Sequence, residues 1–191
     1  MDFGFYPVSN GTVALNNKTV TFTAGQYRFN VSFNYIELIQ LNASTFLNPA
    51  SQSNATSNST SQNVQDLSFL SYSTKMLAGT WRFLTYFGRD TMIAMLLIND
   101  RLSNVALEAG IGAVLERENA TGTICHEETI GDYATLTHLL NNVTSTAPSY
   151  SYIMIDSDLY LQPLLAQYFL KVPGGMNRST DFLRYQFNPP I

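Results

Sequence analysis

Three short segments of the chain combine carboxylates with basic and aromatic side chains. The first, residues 79–90, reads Gly-Thr-Trp-Arg-Phe-Leu-Thr-Tyr-Phe-Gly-Arg-Asp and places Trp81 upstream of the adjacent pair Arg89 and Asp90. Aromatic rings pack against the C–H-rich faces of sugars, while Arg and Asp side chains bind neighbouring hydroxyl groups. These residue types indicate a carbohydrate site. An aspartate that only caps a helix is the structural alternative.

The second segment, residues 123–133, reads Thr-Ile-Cys-His-Glu-Glu-Thr-Ile-Gly-Asp-Tyr and has three carboxylates and one histidine between His126 and Asp132. A carboxyl group that is crowded and partly buried has a raised pKa, which suits a general acid. A solvated loop is the structural alternative. A metal site made of His126, Glu127 and Asp132 is a further alternative, but their spacing matches no specific metal motif, so we expect no metal.

The third segment, residues 150–160, places Asp156 after an apolar and aromatic run and immediately before a predicted helix. Asp158 is the better candidate for the helix N-cap, which leaves Asp156 for another role. The structural alternative is that both aspartates only cap the helix.

Composition excludes several classes of function. The chain has 191 residues, of which 45% are hydrophobic and 13% are charged, with a net charge of −4. Nucleic-acid binding needs clustered Lys and Arg, which are missing, and no apolar run is long enough to span a membrane. No phosphate loop, nucleophile elbow or dinucleotide motif occurs, so we expect no cofactor. The single cysteine, Cys125, is interpreted as a small buried residue, with a partner cysteine outside this sequence as the alternative.

Glycosylation motifs indicate passage through a secretory pathway. Nine Asn-X-Ser/Thr acceptors occur where chance predicts about three, and a general richness in Asn, Ser and Thr is the alternative explanation. The residues that follow Met1 do not resemble a signal peptide, so we expect the true N-terminus to lie upstream and the protein to be secreted. The nine acceptors are Asn10, Asn17, Asn30, Asn42, Asn54, Asn58, Asn119, Asn142 and Asn177.

The order of elements predicts an α+β chain. Residues 1–47 read as the C-terminal part of a β domain, residues 48–65 as a polar glycosylated linker, and residues 66–191 as a helical region. Alternating or β-rich runs predict strands at 12–15, 19–23, 27–33 and 35–39. Apolar patterns and caps predict helices at 92–98, capped by Asp90 or Thr91, at 103–118, and at 158–171, where Pro163 predicts a kink or a late start.

The three segments, taken in order, resemble a known family. Phe87 to Ala94 resembles a segment of the glucosidase domain of glycogen debranching enzymes, as does Tyr152 to Tyr160, and His126 to Ala134 resembles secreted fungal proteins of the same six-hairpin, or (α/α)6-barrel, class. The resemblance covers about residues 66 to 171. It implies that a β module is followed by part of an (α/α)6 barrel, incomplete because six helical hairpins need roughly 300 residues.

The resemblance also implies a reaction, namely hydrolysis of α-glucosidic bonds with inversion by a general acid and a general base. Asp156 matches the family's acid, and Arg89 and Asp90 match the pair that holds the terminal sugar. His126 and Glu127 match positions that line the pocket, and Glu127 is the reserve candidate for the acid. The family's base lies beyond these residues, so we expect this fragment to be inactive alone. A non-catalytic carbohydrate-binding or cell-wall protein on the same scaffold is the alternative, and a structural glycoprotein is a third.

Overall fold

The computed structural model describes residues 2–32, 39–54, 58–72, 76, 85–129 and 131–184, with side chains except at 58–60 and 182–184. The chain divides into two compact units, Met1–Ile36 and Glu37–Ile191. Helices and antiparallel strands both occur, which confirms the α+β class in its coarse form. No helix in the described ranges is both long and apolar enough to cross a membrane.

The first unit consists of two antiparallel strand pairs. Strand β1 (Asp2–Ser9) pairs with β4 (Gln26–Ser32), and β2 (Val13–Asn16) pairs with β3 (Thr19–Phe22). The strands predicted at 12–15, 19–23 and 27–33 are therefore confirmed in the described part of the chain. The sequence did not reveal β1, because Gly4 and Pro7 are unfavourable in strand interiors and are tolerated at a sheet edge. Most of the strand predicted at 35–39 lies outside the described residues.

The second unit combines eight helices and three short strands within the described residues. The helices are α1 (Ala43–Phe46), α2 (Pro49–Asn54), α3 (Asn58–Phe69), α4 (Gly88–Ile98), α5 (Asn104–Leu115), α6 (Asp132–Leu140), α7 (Asp156–Lys171) and α8 (Gly175–Arg184). The strands β5 (Thr85–Phe87), β6 (Glu127–Thr129) and β7 (Ser149–Ser151) form one antiparallel sheet in that order.

The segment predicted as a linker contains helices. Asn48 caps α2 by accepting a hydrogen bond from Ser51 N at 2.8 Å, and Pro49 occupies the first helical position, where proline is favoured. Val64 of α3 is buried in the core of the second unit. The division between units also falls earlier than the predicted boundary at residue 47, because Phe46 is 1% exposed and belongs to that core.

Helices α4, α5 and α7 pack together around this core. The helix predicted at 103–118 is α5. Ser103 is its N-cap and accepts a hydrogen bond from Ala106 N at 3.1 Å, and the helix ends at Leu115 and not at Glu118. The apolar pattern places Val105, Ile111, Val114 and Leu115 on the inner face of α5. Ile111 and Val114 are buried as predicted, whereas Val105 is 55% exposed.

The starts of α4 and α7 also differ from the predictions. Helix α4 begins at Gly88, so Asp90 lies within its first turn and forms no cap. Helix α7 begins at Asp156 and not at Asp158, and Pro163 lies inside it. It ends at Lys171 as predicted, with Val172 as an extended C-cap, and the chain turns at Gly174, where φ is 81°.

Candidate functional site

The three segments identified in the sequence meet in the sheet β5-β6-β7. Phe87 from the first segment pairs with Glu127 from the second, and Glu127 pairs with Ser151 from the third. Helix α4 follows β5 directly, and α7 begins five residues after β7. The sheet therefore brings the beginnings of two helices, and the acidic and basic groups on them, to one region of the second unit.

Arg89 and Asp156 form an ion pair across these two helices. Arg89 is the second residue of α4, Asp156 is the first residue of α7, and Nη1 of the arginine donates to Oδ2 of the aspartate at 3.0 Å. The hydrogen bond that Arg89 donates to Asp156 raises the pKa of the Arg89 guanidinium above its ordinary value. Asp90 lies beside the pair, with 3.9 Å between its Oδ2 and Arg89 Nε. The structure thus joins three of the predicted site residues.

The backbone of His126 is hydrogen-bonded to the start of α4 and to the end of β7. Its carbonyl oxygen accepts from Gly88 N at 3.0 Å, and its backbone N donates to Ser151 O at 2.8 Å. The imidazole ring lies 5.8 Å from the ring of Phe87, centroid to centroid. The backbone of His126 therefore extends the sheet to the first residue of α4, next to Arg89.

Several polar atoms of this region are buried and have no hydrogen-bond partner among the described residues. They are Nδ1 of His126, Oδ1 of Asp156 and Oγ of Ser157, which is the second residue of α7. Buried polar groups in proteins are nearly always hydrogen-bonded, so such atoms commonly mark a place where a ligand or water binds. Together they offer both hydrogen-bond donors and hydrogen-bond acceptors.

Asp158 has a structural role that differs from the predicted cap. Its Oδ1 accepts a hydrogen bond from Ile124 N at 2.7 Å, which ties the chain before β6 to α7. The N-terminal flank of α7 is Ile155, which provides no side-chain cap. The carboxylate of Asp158 therefore binds the backbone of the second segment, whereas the carboxylate of Asp156 binds Arg89.

Glu127 and Glu128 have different environments because neighbouring residues of a strand point to opposite faces. Glu128 is 3% exposed and accepts a hydrogen bond from Nε of Arg117, which is 7% exposed. Glu127 is half-buried and its side chain lies on the opposite face of the sheet.

The sequence did not single out Arg117. It stands between two glutamates directly after an apolar helix, which resembles a solvated helix end. In the structure its guanidinium carbon lies 4.7 Å above the Tyr86 ring, and Nη1 donates to Ala113 O at 2.7 Å. Burial opposes the charge on Arg117, but the attraction and hydrogen bond of Glu128 outweigh it, so its pKa is raised.

Cys125 is buried, as the sequence predicted. Its thiol donates to the carbonyl oxygen of Glu127 at 3.1 Å, and burial raises its pKa to about 11. Trp81, a predicted sugar-stacking residue, lies outside the described residues. Within the described ranges, no group of three or more His, Cys, Asp or Glu side chains is arranged to hold a metal ion.

Comparison with known proteins adds no relative. No model of a known protein family matches the chain, and neither curated proteins nor solved structures give a match.

Proposed function

We propose that the second unit carries a carbohydrate site of the six-hairpin glycosidase class, which hydrolyses α-glucosidic bonds with inversion. Asp156 is the general acid, and Arg89 and Asp90 bind the terminal sugar. The Arg89–Asp156 ion pair at the meeting of α4 and α7 carries the proposal, because it unites two residues that the resemblance assigns to one pocket.

The chemistry of the cluster suits a polyhydroxylated ligand. Arg89 provides a fork of N–H donors, and Asp90 provides carboxylate acceptors. Nδ1 of His126 and Oγ of Ser157 can each exchange a hydrogen bond with a hydroxyl group. A cluster that contains both kinds of group matches a sugar better than it matches a phosphate, which would be repelled by two adjacent acidic side chains.

The two oxygens of Asp156 suit a group that contacts the reacting bond. Oδ2 is held by Arg89, which fixes the orientation of the carboxyl, while Oδ1 has no described partner. In this proposal Oδ1, which is buried, carries the proton that is transferred to the glycosidic oxygen once a bound substrate reaches it. Inversion needs a second carboxylate roughly 6.5–9.5 Å away, across the bound ring. Glu127 remains the reserve candidate for the acid.

The barrel is part of the same proposal. Helices α4 and α5 are consecutive and in contact, as are α7 and α8, which suits helical hairpins. The first turns of α4 and α7 carry Arg89, Asp90 and Asp156, at the end of these helices where a helical barrel would present its substrate pocket.

The experiment uses protein expressed from the complete reading frame and an α-linked gluco-oligosaccharide. Asp156→Asn should lower kcat by about 10² to 10⁴ with little change in KM, because it removes proton transfer and leaves most of the sugar contacts. Asp100→Asn, at an exposed aspartate between α4 and α5, is the matched control and should leave turnover unchanged. Unchanged turnover in Asp156→Asn would mean that another residue is the general acid, and Glu127→Gln would be the next variant.

The alternative function is carbohydrate binding without catalysis, as in a cell-wall protein on the same scaffold. The Arg89–Asp156 ion pair favours this alternative, because a carboxylate whose orientation is held by an arginine is well suited to bind a ligand. Binding of gluco-oligosaccharides without release of glucose by the wild-type protein would establish this function. Arg89→Met should then weaken binding about tenfold or more, because it removes a charged hydrogen-bond donor.

Secretion and N-glycosylation complete the proposal. Asn10, Asn17 and Asn142 are exposed and have left-handed backbones, with φ of 46°, 56° and 59°. Asparagine tolerates this conformation in tight turns, where an attached glycan points into solvent. Protein secreted from a eukaryotic host should lose mass on treatment with an N-glycosidase, and an unchanged mass would contradict this part of the proposal.

A further inference from the structure

We propose that Asn10 is a site of spontaneous deamidation, in which the backbone nitrogen of Gly11 displaces the side-chain amide and leaves aspartate or isoaspartate at this position. The pair lies in the connection between β1 and β2, and the sequence contains no other Asn-Gly pair. This site belongs to the first unit and does not depend on the proposed carbohydrate site.

The reaction needs only water as a co-reactant. The Gly11 nitrogen loses its proton to a base in solution and attacks Cγ of Asn10, and the bond from Cγ to Nδ2 breaks. The departing amide group takes a proton from water and leaves as ammonia, and a cyclic succinimide remains. Water then opens this ring. Attack at Cγ gives aspartate, whereas attack at the backbone carbonyl carbon gives isoaspartate, with an additional methylene group in the main chain.

Both reacting groups of this pair are accessible. Asn10 is exposed, and its side chain has no hydrogen-bond partner among the residues that the structure describes. The backbone N–H of Gly11 has no partner in that part of the chain either. The two groups can therefore react without first breaking an internal hydrogen bond. Glycine also lacks the Cβ that would crowd the approach of its nitrogen to Cγ.

Two other asparagines provide an internal comparison. Asn17 and Asn142 are exposed and have left-handed backbones like that of Asn10, with φ of 56° and 59° against 46°. A lysine and a valine follow them, and both of these residues have a Cβ that hinders attack. The nitrogen of Val143 is also engaged, since it donates to His138 O at 2.9 Å. Exposure and backbone conformation are thus matched, and the following residue differs.

Deamidation has two consequences for the first unit. Aspartate lacks Nδ2, the atom to which an N-glycan is attached, so glycosylation and deamidation exclude each other at Asn10. Isoaspartate lengthens the main chain beside Gly25, which lies between β3 and β4. The two segments are so close that a Cβ on Gly25 would overlap the carbonyl oxygen of Asn10. The longer product should therefore disturb the contact between these two connections.

The test uses the 191-residue chain from a bacterial host that attaches no N-glycans. The chain is incubated at pH 8.5 and 37 °C, and mass spectrometry of its peptides follows the conversion of amide to acid at each asparagine. We expect Asn10 to react at least about tenfold faster than Asn17 and Asn142, because only Asn10 precedes a glycine. Both aspartate and isoaspartate should form, since direct hydrolysis of the amide gives aspartate alone.

Lys18→Gly tests the following residue at a matched position. It is preferred to Gly11→Ala, because a Cβ on Gly11 would overlap the hydroxyl of Tyr27. Glycine adopts φ of either sign, so the turn should persist, and Asn17 should react at least about tenfold faster than in the unaltered chain. An unchanged rate at Asn17 would overturn the assignment of the reactivity to the Asn-Gly pair.

Incubation in guanidinium chloride isolates the contribution of the fold. Because the structure leaves both groups free, the rate at Asn10 in the folded chain should lie within about tenfold of the rate in denaturant. A greater slowing by the fold overturns the proposal. Aspartate without isoaspartate, or a smaller difference than expected between Asn10 and the other two asparagines, overturns it equally.

Discussion

Asp156 and Asp158 lie in the same turn of α7 and have different partners. Asp158 binds the backbone N of Ile124, and Asp156 binds the side chain of Arg89. A carboxylate that satisfies a backbone N–H stabilises the fold, whereas a carboxylate with one unpartnered oxygen can also contact a ligand. The difference between these two partners makes Asp156 the better candidate for chemistry.

Cys125 should be nearly inert in the folded chain. It is buried, and its pKa of about 11 compares with an ordinary value of 9.0, which corresponds to about a hundredfold less thiolate at neutral pH. Alkylation by iodoacetamide at pH 7.5 should therefore be at least about a hundredfold slower in the folded chain than in urea. The mass increase reports on Cys125 alone, because the sequence has one cysteine. Equal rates in the two conditions would show that the residue is accessible.

The residues of the candidate site differ in how far the sequence could predict them. Arg89, Asp156 and His126 stand in local patterns of aromatic and acidic residues, and the structure brings these patterns together. Arg117 depends on a carboxylate 11 residues away and on burial against Tyr86, neither of which a local pattern records. The role of Asp158 was mistaken for the same reason, since its partner lies 34 residues away.

At the scale of elements, the junction between β5 and α4 depends on Gly88. A Cβ built on this residue would overlap the carbonyl oxygen of Cys125, a backbone atom that cannot move without displacing the chain before β6. Gly112 of α5 has open space around the same position. The two glycines therefore have different functions: one permits a close approach of two segments, and the other does not.

Alanine substitutions at these glycines should have opposite effects. Gly88→Ala should lower the free energy of unfolding by about 1–3 kcal/mol, the usual effect of overpacking. Gly112→Ala should raise it by about 0.5–1 kcal/mol, because alanine restricts the unfolded chain and favours a helix. Urea denaturation followed by circular dichroism measures both. A stable Gly88→Ala variant would mean that the approach of Cys125 is not required.

The elements were predicted best where packing and local pattern agree. Ser103 and the apolar residues after it identified α5, and alternation identified β2, β3 and β4. The helices in the predicted linker were missed because Ser and Asn dominate their composition. Asn48 and Pro49 start α2, and Val64 and Ser68 of α3 are buried, so a few residues fix these helices although their average composition is polar.

At the scale of the whole molecule, the two units differ in burial. Every residue described in the first unit is exposed or half-buried, and the described core belongs to the second unit. The aromatic side chains of the first unit stack on one another, as Phe5 does on Phe29 with 4.8 Å between ring centroids, yet Phe3 remains 61% exposed. Two-stranded ribbons with so little burial are marginally stable in water.

Hydrogen exchange of the intact chain should therefore proceed in two groups. Amides of β1 to β4 should exchange at least roughly a hundredfold faster than those of α5, which corresponds to about 3 kcal/mol less free energy of opening. Exchange mass spectrometry resolves the two groups, and α7 serves as a second reference because it also packs in the core. Protection of β1 and β4 equal to that of α5 would contradict this prediction, since the first unit would then need stabilisation from contacts beyond its own strand pairs.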